Sequence, residues 1–269
     1  MKSYPTPPDG LRVESDDGVL RVRLDRPDRR NALTDDMVLA LIETIEAAGS
    51  DEAIRVIALS GTGGDFCSGF DLSLRERRDS KPRTGATQRQ MRWHVNRLIP
   101  TMLETQTPIV TAATGNIVGL GLNLVLASDF AVVAHDARLR APFTSMGFTP
   151  DSGGSWLIPR LVGVARAKEM LLLGREVGGA RAEEWGLVYR AVPAEEVAGE
   201  AEALVTELAS AATVAVGLAK LLVHRSLTVD LERHLADEAL AIELSSRSDD
   251  FKEPGRARRE GRVPDFRGR

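Results

Sequence analysis

The sequence predicts an α/β fold built from strand–strand–helix units. Apolar and polar residues alternate over Val19–Leu24, which indicates a half-buried strand, and residues 54–60 and Ile109–Ala113 are short apolar runs typical of buried strands. Between the first two strands, Thr34 and the two aspartates that follow it form a favoured helix start. Because two strands precede a helix more than once, the pattern differs from the strand–helix alternation of a doubly wound sheet.

The other elements follow from the same periodicities. Helices are predicted over residues 89–104, 119–128, 165–173 and 180–185, and strands over residues 130–135 and 188–192. The polar residues 75–87 predict a surface loop, and the chain is predicted to be helical from residue 194 onward. The basic last part, residues 252–269, is interrupted by proline and glycine, which favours a solvated tail.

Composition argues against several classes of function. The 269 residues are 43% hydrophobic and 28% charged with a net charge of −4, which gives no electrostatic reason to bind nucleic acid or an anionic membrane. Cys67 is the single cysteine, so an intrachain disulfide is impossible and a reducing, cytoplasmic setting is expected. No secretory signal is visible and no metal-ligand spacing is found. The apolar run over residues 117–127 is shorter than the roughly 20 residues that a membrane span requires.

A glycine-rich turn follows the second predicted strand, where residues 61–72 have the sequence GTGGDFCSGFDL. A phosphate-binding Walker loop is excluded because no lysine follows these glycines, and a dinucleotide-binding turn because Phe66 occupies the third glycine position. Two interpretations stay open. The segment is a plain tight turn, or Gly69 bends the chain so that the Phe70 N–H points into a pocket that binds an oxyanion.

A second N–H donor of the same kind is predicted at the start of the helix over residues 119–128. The first N–H groups of a helix have no acceptor within the helix and lie at its positive end. Gly119 and Gly121 allow another chain segment to approach closely, which makes the Leu120 N–H the second candidate donor.

With these two segments, the chain resembles the crotonase superfamily, also called the enoyl-CoA hydratase/isomerase family. Six segments resemble that family in the same order along the chain. They are LDRPDRRNAL, GDFCSGFDL, TGNIVGLGLNLVLASDFAVVA, PDSGGSWLIPRLVG, AKEMLLLGREVGGARAEEWGLV and FKEPGRARREGRVPDFRGR. Each segment alone is a weak signal, whereas six in order over nearly the whole chain are a strong one.

The resemblance implies a crotonase-like ββα-spiral core over residues 1–195, which binds acyl-CoA, and a helical C-terminal trimerisation region over residues 196–269. It implies an acyl-CoA thioester as substrate and a thioester enolate stabilised by the two backbone N–H groups. It further implies no tightly bound cofactor, since coenzyme A is part of the substrate, and a homotrimer or a hexamer made of two trimers.

Two positions depart from the hydratases of this family, which resemble one another in two catalytic glutamates. Asn123 stands at one of these positions and Phe143 at the other. Neither an amide nor a phenyl ring is a general base, which disfavours hydration of 2-enoyl-CoA. Asn123 is expected either to orient a water or the acyl group, or to make a local hydrogen bond within its helix.

A carboxylate is present in the segment FTPDSGG. Asp151 lies there in a setting similar to that of the catalytic aspartate in phenylacetate-pathway epoxide isomerases and some 3,2-enoyl-CoA isomerases, and is the expected acid–base. The alternative is that Asp151 caps the next helix. In 4-chlorobenzoyl-CoA dehalogenase an aspartate at the matching place is a nucleophile that acts with a histidine. Here Asn96, not His94, stands in the matching register, which disfavours dehalogenation and favours a structural role for His94.

The resemblance also implies residues that bind the substrate. Those expected to contact coenzyme A are Arg29, Arg30, Ser68, Asp71 and Leu72, with solvated surface charge as the alternative for each arginine. Those expected to line an apolar acyl pocket are Phe70, Phe143, Met146 and Phe148.

Three functions stay open at this stage. The leading one is an enoyl-CoA isomerase that works through an enolate, and the second is an enoyl-CoA hydratase of restricted substrate range. The third is a non-catalytic acyl-CoA-binding protein, suggested by the loss of both glutamates. The position of Asp151 discriminates between the first and the third, because a catalytic carboxylate lies beside the two N–H donors and a capping one lies outside the pocket.

Overall fold

The computed structural model describes residues 4–73 and 83–269. In chain order its strands are β1 (Leu11–Asp16), β2 (Val19–Leu24), β3 (Val56–Gly61), β4 (Ile109–Ala113), β5 (Asn116–Val118), β6 (Phe130–Ala134), β7 (Arg138–Arg140), β8 (Val177–Gly178) and β9 (Arg190–Val192). They form a six-stranded sheet in the order β1-β2-β3-β4-β6-β9 and a three-stranded sheet in the order β5-β7-β8.

The helices of the described residues surround these sheets. They are α1 (Asp35–Gly49), α2 (Ala86–Trp93), α3 (Val95–Glu104), α4 (Leu120–Ala127), α5 (Gly154–Leu172), α6 (Gly179–Glu184), α7 (Val197–Ala209), α8 (Thr213–Arg225), α9 (Leu231–Ser245) and α10 (Glu253–Glu260). The predicted start of α1 is confirmed, since the Met37 N–H donates to Thr34 Oγ1 at 3.2 Å.

The strand–strand–helix order predicted from the sequence is confirmed. Strand β4 of the large sheet leads into β5 of the small sheet and then into α4, and β6 leads in the same way into β7 and α5. Within the large sheet all neighbouring strands are parallel except β1 and β2, which form an antiparallel hairpin. The two residues of the hairpin turn are Asp17 and Gly18. Their φ values are both positive, 44° and 80°, and positive φ at both residues lets a two-residue turn follow the twist of its strands. This arrangement is the α/β spiral that the sequence predicted.

Some boundaries differ from the predicted ones. The helix predicted over residues 89–104 is two helices, because the chain breaks at His94 between α2 and α3. The helix predicted over residues 165–173 is the second half of α5, which is bent at Gly163. Of the surface loop predicted over residues 75–87, residues 75–82 lie outside the described residues, and the last two belong to α2.

Beyond residue 196 the described chain is mainly helical, and α7 packs against β3, β4 and β6. Within the described residues no single helix is long and apolar enough to cross a membrane. Only α7 and α8 taken together would meet that criterion, on length and composition alone, and they are bent by 111° at the break between them. The division of the chain at residue 196 stays a prediction.

The prediction of a solvated tail over residues 252–269 is confirmed for most of its residues, which are exposed, but the tail is ordered because hydrogen bonds fix the end of the chain. The Asp250 carboxylate accepts from the N–H groups of Arg267 (2.7 Å) and Gly268 (2.8 Å). The Arg55 guanidinium donates to the carbonyl of Phe266 at 3.1 Å. Basic side chains dominate the composition of this segment, but its backbone N–H groups have carboxylate acceptors.

Glu253 is the centre of the same network and lies at the start of α10. Its side chain is 5% exposed, accepts hydrogen bonds from the Arg262 guanidinium and the Asp265 N–H, and pairs with Arg256. These donors, Arg262 first, lower the pKa of Glu253 from 4.5 to about 2. A carboxylate whose pKa is lower in the folded state stabilises the fold above its unfolded pKa, and this contribution is lost as the pH falls toward 2.

We therefore expect Glu253→Gln to lower the urea midpoint of unfolding at pH 7, and the difference from the wild type to shrink between pH 4.5 and pH 2. The control is Glu207→Gln, which changes an exposed glutamate on α7. A midpoint difference for Glu253→Gln that stays constant over this pH range contradicts the assigned network.

Candidate active site

The site is built where the glycine-rich turn lies beside β5. The Phe66 N–H donates to the Thr114 carbonyl at 2.8 Å, and the Cys67 N–H donates to the Asn116 carbonyl at 3.0 Å. In return, the Val118 N–H donates to the Cys67 carbonyl at 2.9 Å. These bonds form a parallel bridge, so the two segments leave it side by side and in the same direction.

Three residues beyond this bridge, each segment reaches one of the predicted N–H donors. Leu120 is the first residue of α4, where N–H groups have no acceptor within the helix. On the other segment, the Leu33 N–H donates to the Gly69 carbonyl, and the Leu33 carbonyl accepts from the Asp71 N–H. The intervening Phe70 N–H therefore points away from Leu33, since alternate residues of a strand direct their backbone groups to opposite sides.

Two glycines allow this close approach. Gly69 has φ +98°, and a Cβ added there would lie 3.0 Å from the Val118 carbonyl oxygen and 3.7 Å from the Leu120 nitrogen. A Cβ added at Gly121 would lie only 2.6 Å from the Cβ of Cys67. Burial raises the pKa of the Cys67 thiol to about 12. Cys67 is thus a small buried residue that packs at the turn.

Both donor residues line one cavity, which contains eight of the twelve residues predicted for the site. These eight are Ser68, Phe70, Leu72, Leu120, Phe143, Met146, Phe148 and Asp151. The aromatic rings of Phe143 and Phe148 pack edge to face at 5.8 Å between centroids. Within residues 4–73 and 83–269, no group of three or more His, Cys, Asp or Glu side chains is arranged to hold a metal ion.

Asp151 lies in a tight turn that directly precedes α5. Ser152 and Gly153 have φ values of 51° and 91°, and the Gly154 N–H donates to the Asp151 carbonyl at 3.1 Å. Ser152 Oγ donates to Asp151 Oδ1 at 3.0 Å. The alternative that Asp151 is the helix N-cap is wrong, because Gly153 occupies that position and Asp151 belongs to the cavity wall.

Asn123 does not line the cavity, which corrects the expectation that it orients a water or the acyl group. Its side chain is buried, and Nδ2 donates to the carbonyls of Asp151 (3.2 Å) and Ser152 (3.0 Å). The local helix bond considered as the alternative is not observed either. Gly154 leaves room for the amide, since a Cβ there would lie 2.9 Å from Asn123 Oδ1. Asn123 therefore acts on the site through the backbone that holds Asp151.

The other three predicted residues also lie outside the cavity. Arg29 and Arg30 contact the site through their backbones, whose carbonyls accept from Ser68 Oγ (3.3 Å) and the Ser68 N–H (2.9 Å), while both guanidinium groups are exposed. The Asp71 carboxylate accepts from Ser73 and pairs with Arg26. These contacts lower the pKa of Asp71, the Ser73 hydrogen bond being the larger cause. The carboxylate of Asp71 thus stabilises its own loop.

Several cavity residues were not predicted from the sequence, chiefly Asp35, Gln90, Met91, His94 and Ser152. Three of them belong to the break between α2 and α3 or lie near it, and no proline or glycine marks that break in the sequence. His94 was expected to be a structural residue. The structure places His94 in the wall with Asp151, and its Nδ1 is buried without a partner among the described residues.

A second, larger cavity of about 980 Å³ lies on the other side of the Asp151 turn. It shares Met91, Asp151 and Ser152 with the first cavity. Its apolar wall includes Leu103 on α3 and Trp156 on α5. The two cavities together give room for a ligand that passes Asp151.

The comparisons with known proteins agree with this geometry. The family model for enoyl-CoA hydratase/isomerase matches residues 14–269. The chain is 33% identical to the 1,2-epoxyphenylacetyl-CoA isomerase of Escherichia coli (strain K12), over 94% of this chain and 96% of that protein. It is 34% identical to the mitochondrial enoyl-CoA hydratase domain-containing protein 2 of Homo sapiens, over 94% of this chain and 87% of that protein. An enoyl-CoA hydratase crystal structure from Bacillus anthracis matches with a TM-score of 0.89 at 28% identity, covering 97% of this chain and 100% of that chain. The chain belongs to the enoyl-CoA hydratase/isomerase family.

As a member of this family, also called the crotonase superfamily, the protein is an acyl-CoA-processing enzyme with an α/β fold and a helical C-terminal region. The family uses coenzyme A thioesters as substrates. The names of the two relatives differ, since one is an isomerase and the other contains a hydratase domain. The choice between these reactions therefore depends on the residues of this site.

The packing of Gly121 against Cys67 gives a test of the site's construction. We expect Gly121→Ala to lower the free energy of unfolding by about 1–3 kcal/mol, because the added Cβ overpacks the contact. Urea unfolding measures this. The control is Gly199→Ala on α7, where an added Cβ meets nothing within 4 Å and helix propensity favours alanine by about 0.5–1 kcal/mol. Equal stability of the two variants would contradict the close approach.

Proposed function

We propose that this protein isomerises enoyl-CoA thioesters through an enolate, with Asp151 as the proton-transferring group. The observation that supports this most directly is that Asp151 lines the same cavity as Phe70 and Leu120. An acid–base residue must lie within reach of the carbon whose proton it moves, and that carbon is adjacent to the thioester carbonyl. A carboxylate outside the cavity would have no such access.

The Phe70 and Leu120 N–H groups are proposed to form an oxyanion hole for the thioester oxygen. Negative charge develops on this oxygen when the enolate forms, and backbone donors that are already in place stabilise it without rearrangement. The donor at Leu120 also lies at the positive end of α4. In other enzymes, loss of one such donor costs about 3–4 kcal/mol in the transition state.

One carboxylate is sufficient for the proposed proton transfer. The Asp151 carboxylate takes a proton from C2 of a 3-enoyl thioester, and the electron pair of the C–H bond forms the enolate. The double bond moves from C3–C4 to C2–C3 as the same carboxyl group returns the proton to C4. The hydrogen bond from Ser152 Oγ fixes the orientation of one carboxylate oxygen. No external reactant is required.

Hydration is the second candidate, and two residues of the site disfavour it. At the two positions where hydratases of this family resemble one another in glutamates, this chain has Asn123 and Phe143. The Asn123 amide is engaged by two backbone carbonyls, and the Phe143 ring is buried against Phe148. Neither group can activate water. A hydratase of restricted substrate range would have to use Asp151 alone.

A non-catalytic acyl-CoA-binding protein is the third candidate, suggested by the same two replacements. For a protein that only binds acyl-CoA, we would expect Asp151 to cap a helix and to lie outside the pocket. The cap of α5 is Gly153, and Asp151 lies in the cavity wall, which favours the enzyme.

The substrate is proposed to lie across both cavities. The coenzyme A part is placed at Ser68 and Leu72, near the exposed Arg29 and Arg30, and the acyl group passes Asp151 toward Trp156. The site as proposed uses no cofactor besides coenzyme A. A cytoplasmic homotrimer or hexamer is also proposed. Large apolar side chains exposed near and along α8 and α9 support association, namely Val223, Leu227, Leu231, Leu235, Leu240 and Ile242.

The proposed reaction is tested with 3-enoyl-CoA thioesters in D2O. We expect the wild type to form the 2-enoyl isomer, with uptake of deuterium wherever the proton on the Asp151 carboxyl exchanges with D2O before its transfer to C4. Asp151→Asn should lower the rates of isomerisation and uptake by a factor of about 10²–10⁴. The affinity for the unreacted thioester should change little, because the amide has nearly the shape of the carboxyl group. Mass spectrometry follows deuterium uptake, and calorimetry measures binding.

Asp136→Asn is the matched control, since Asp136 is an exposed aspartate between β6 and β7. Its activity should equal that of the wild type. Tight binding with neither isomerisation nor exchange in the wild type would favour the binding protein, whereas hydration of 2-enoyl-CoA without exchange at C2 of a 3-enoyl thioester would favour the hydratase.

A further inference from the structure

His94 interrupts the helical chain at the wall of the first cavity. Its φ and ψ values are −120° and −104°, which belong to neither α2 nor α3. The backbone is nevertheless fixed, since the His94 N–H donates to the Met91 carbonyl at 3.3 Å and the His94 carbonyl accepts from the Arg97 N–H at 2.9 Å. The break therefore places an imidazole in the same wall as Asp151.

This imidazole makes no hydrogen bond to any residue in the described part of the chain. Among these residues Nδ1 is buried and has no hydrogen-bond partner, whereas Nε2 has no partner but is accessible to solvent. Other polar side chains of the wall have partners within the protein. Ser152 Oγ donates to the Asp151 carboxylate, and Ser68 Oγ donates to the Arg29 carbonyl. His94 thus has a polar nitrogen that no described residue engages, in the wall of a cavity that can hold a ligand.

The burial of Nδ1 indicates which nitrogen has the proton in the neutral ring. A proton on Nδ1 would be a buried donor without an acceptor, which proteins avoid. A proton on Nε2 can be donated to an atom inside the cavity. His94 is therefore a residue of the cavity wall whose accessible nitrogen, Nε2, is assigned as the hydrogen-bond donor.

We propose that His94 is a specificity residue whose Nε2–H binds an oxygen atom of the acyl group other than the thioester oxygen. The proposal rests on the proposed function, in which Phe70 and Leu120 already bind the thioester oxygen. A hydrocarbon acyl group offers no acceptor to the imidazole and would bury its N–H. The preferred substrate class is therefore acyl-CoA with a hydroxyl, ether or carbonyl oxygen on the acyl chain.

Such a donor discriminates strongly, because binding a ligand that lacks the acceptor leaves a polar group unpaired. The discrimination is measured as a ratio of affinities, which does not depend on turnover. Isothermal titration calorimetry with hexanoyl-CoA, 3-hydroxyhexanoyl-CoA and 4-hydroxyhexanoyl-CoA gives this ratio. We expect the wild type to bind at least one hydroxy ligand about tenfold more tightly than hexanoyl-CoA.

Three variants separate a donor at Nε2 from a structural role of the ring. His94→Phe keeps a ring without a donor and should reduce the ratio to about one, because hexanoyl-CoA no longer leaves an N–H unpaired and the hydroxy ligands lose their donor. His94→Gln places an amide N–H near the position of Nε2 and should restore most of the ratio. His94→Asn reaches only the position of Nδ1 and should not restore it.

The same hydroxy preference in the wild type and His94→Phe would overturn the proposal, as would rescue by asparagine in place of glutamine. If His94→Phe does not fold, the affinity ratio of the wild type and the comparison of His94→Gln with His94→Asn still test the proposal. Isomerisation of 3-hexenoyl-CoA, which has no additional oxygen, reports the proposed function separately. A hydroxy preference without isomerisation would therefore leave the role of His94 intact while removing the isomerase.

Discussion

The parallel pairing of Phe66 and Cys67 with residues 114–118 is the interaction on which the rest of the site depends. It joins a loop after the large sheet to the edge of the small sheet through hydrogen bonds of 2.8–3.0 Å. Each segment then has a glycine that lies against the other segment, Gly69 against Val118 and Gly121 against Cys67. Two N–H donors from distant parts of the sequence are thereby held by rigid backbone, so that little reorganisation is needed when charge develops on a bound oxygen.

Helix α4 connects this donor pair to the carboxylate. Leu120 and Asn123 are three residues apart and so lie on one side of the helix, about one turn apart. Leu120 begins the helix beside the glycine-rich turn, and Asn123 holds the carbonyls of Asp151 and Ser152. Asn123 stands at a position where hydratases of this family resemble one another in a glutamate, and here its amide holds the backbone of the proposed base. One short buried helix thus connects the proposed oxyanion donors to the backbone that holds Asp151.

The sequence predicted most of the elements and the close approach of the two glycine-rich segments well, because periodicity and glycine placement are local signals. Strand β2 and the cap at Thr34 were predicted at the correct residues. What sequence alone could not predict depends on tertiary contacts. The break at His94 has no local breaker residue, and the amide of Asn123 finds its partners 28 and 29 residues away. The order of the chain end was missed for the same reason, since the carboxylates of Asp250 and Glu253 accept from backbone N–H groups that are 17 and 12 residues further along the chain.

The central claim is that two backbone N–H groups polarise the thioester carbonyl, and the infrared stretch of a bound acyl-CoA labelled with ¹³C at that carbonyl tests it most directly. The account predicts a lower frequency in the wild type than in water, and the same lowering in Leu120→Ala, which keeps the N–H. In Leu120→Pro, which removes the N–H at a helix position where proline is tolerated, the frequency should return toward the value in water. A wild-type frequency equal to that in water, or equal lowering in the alanine and proline variants, would contradict the account.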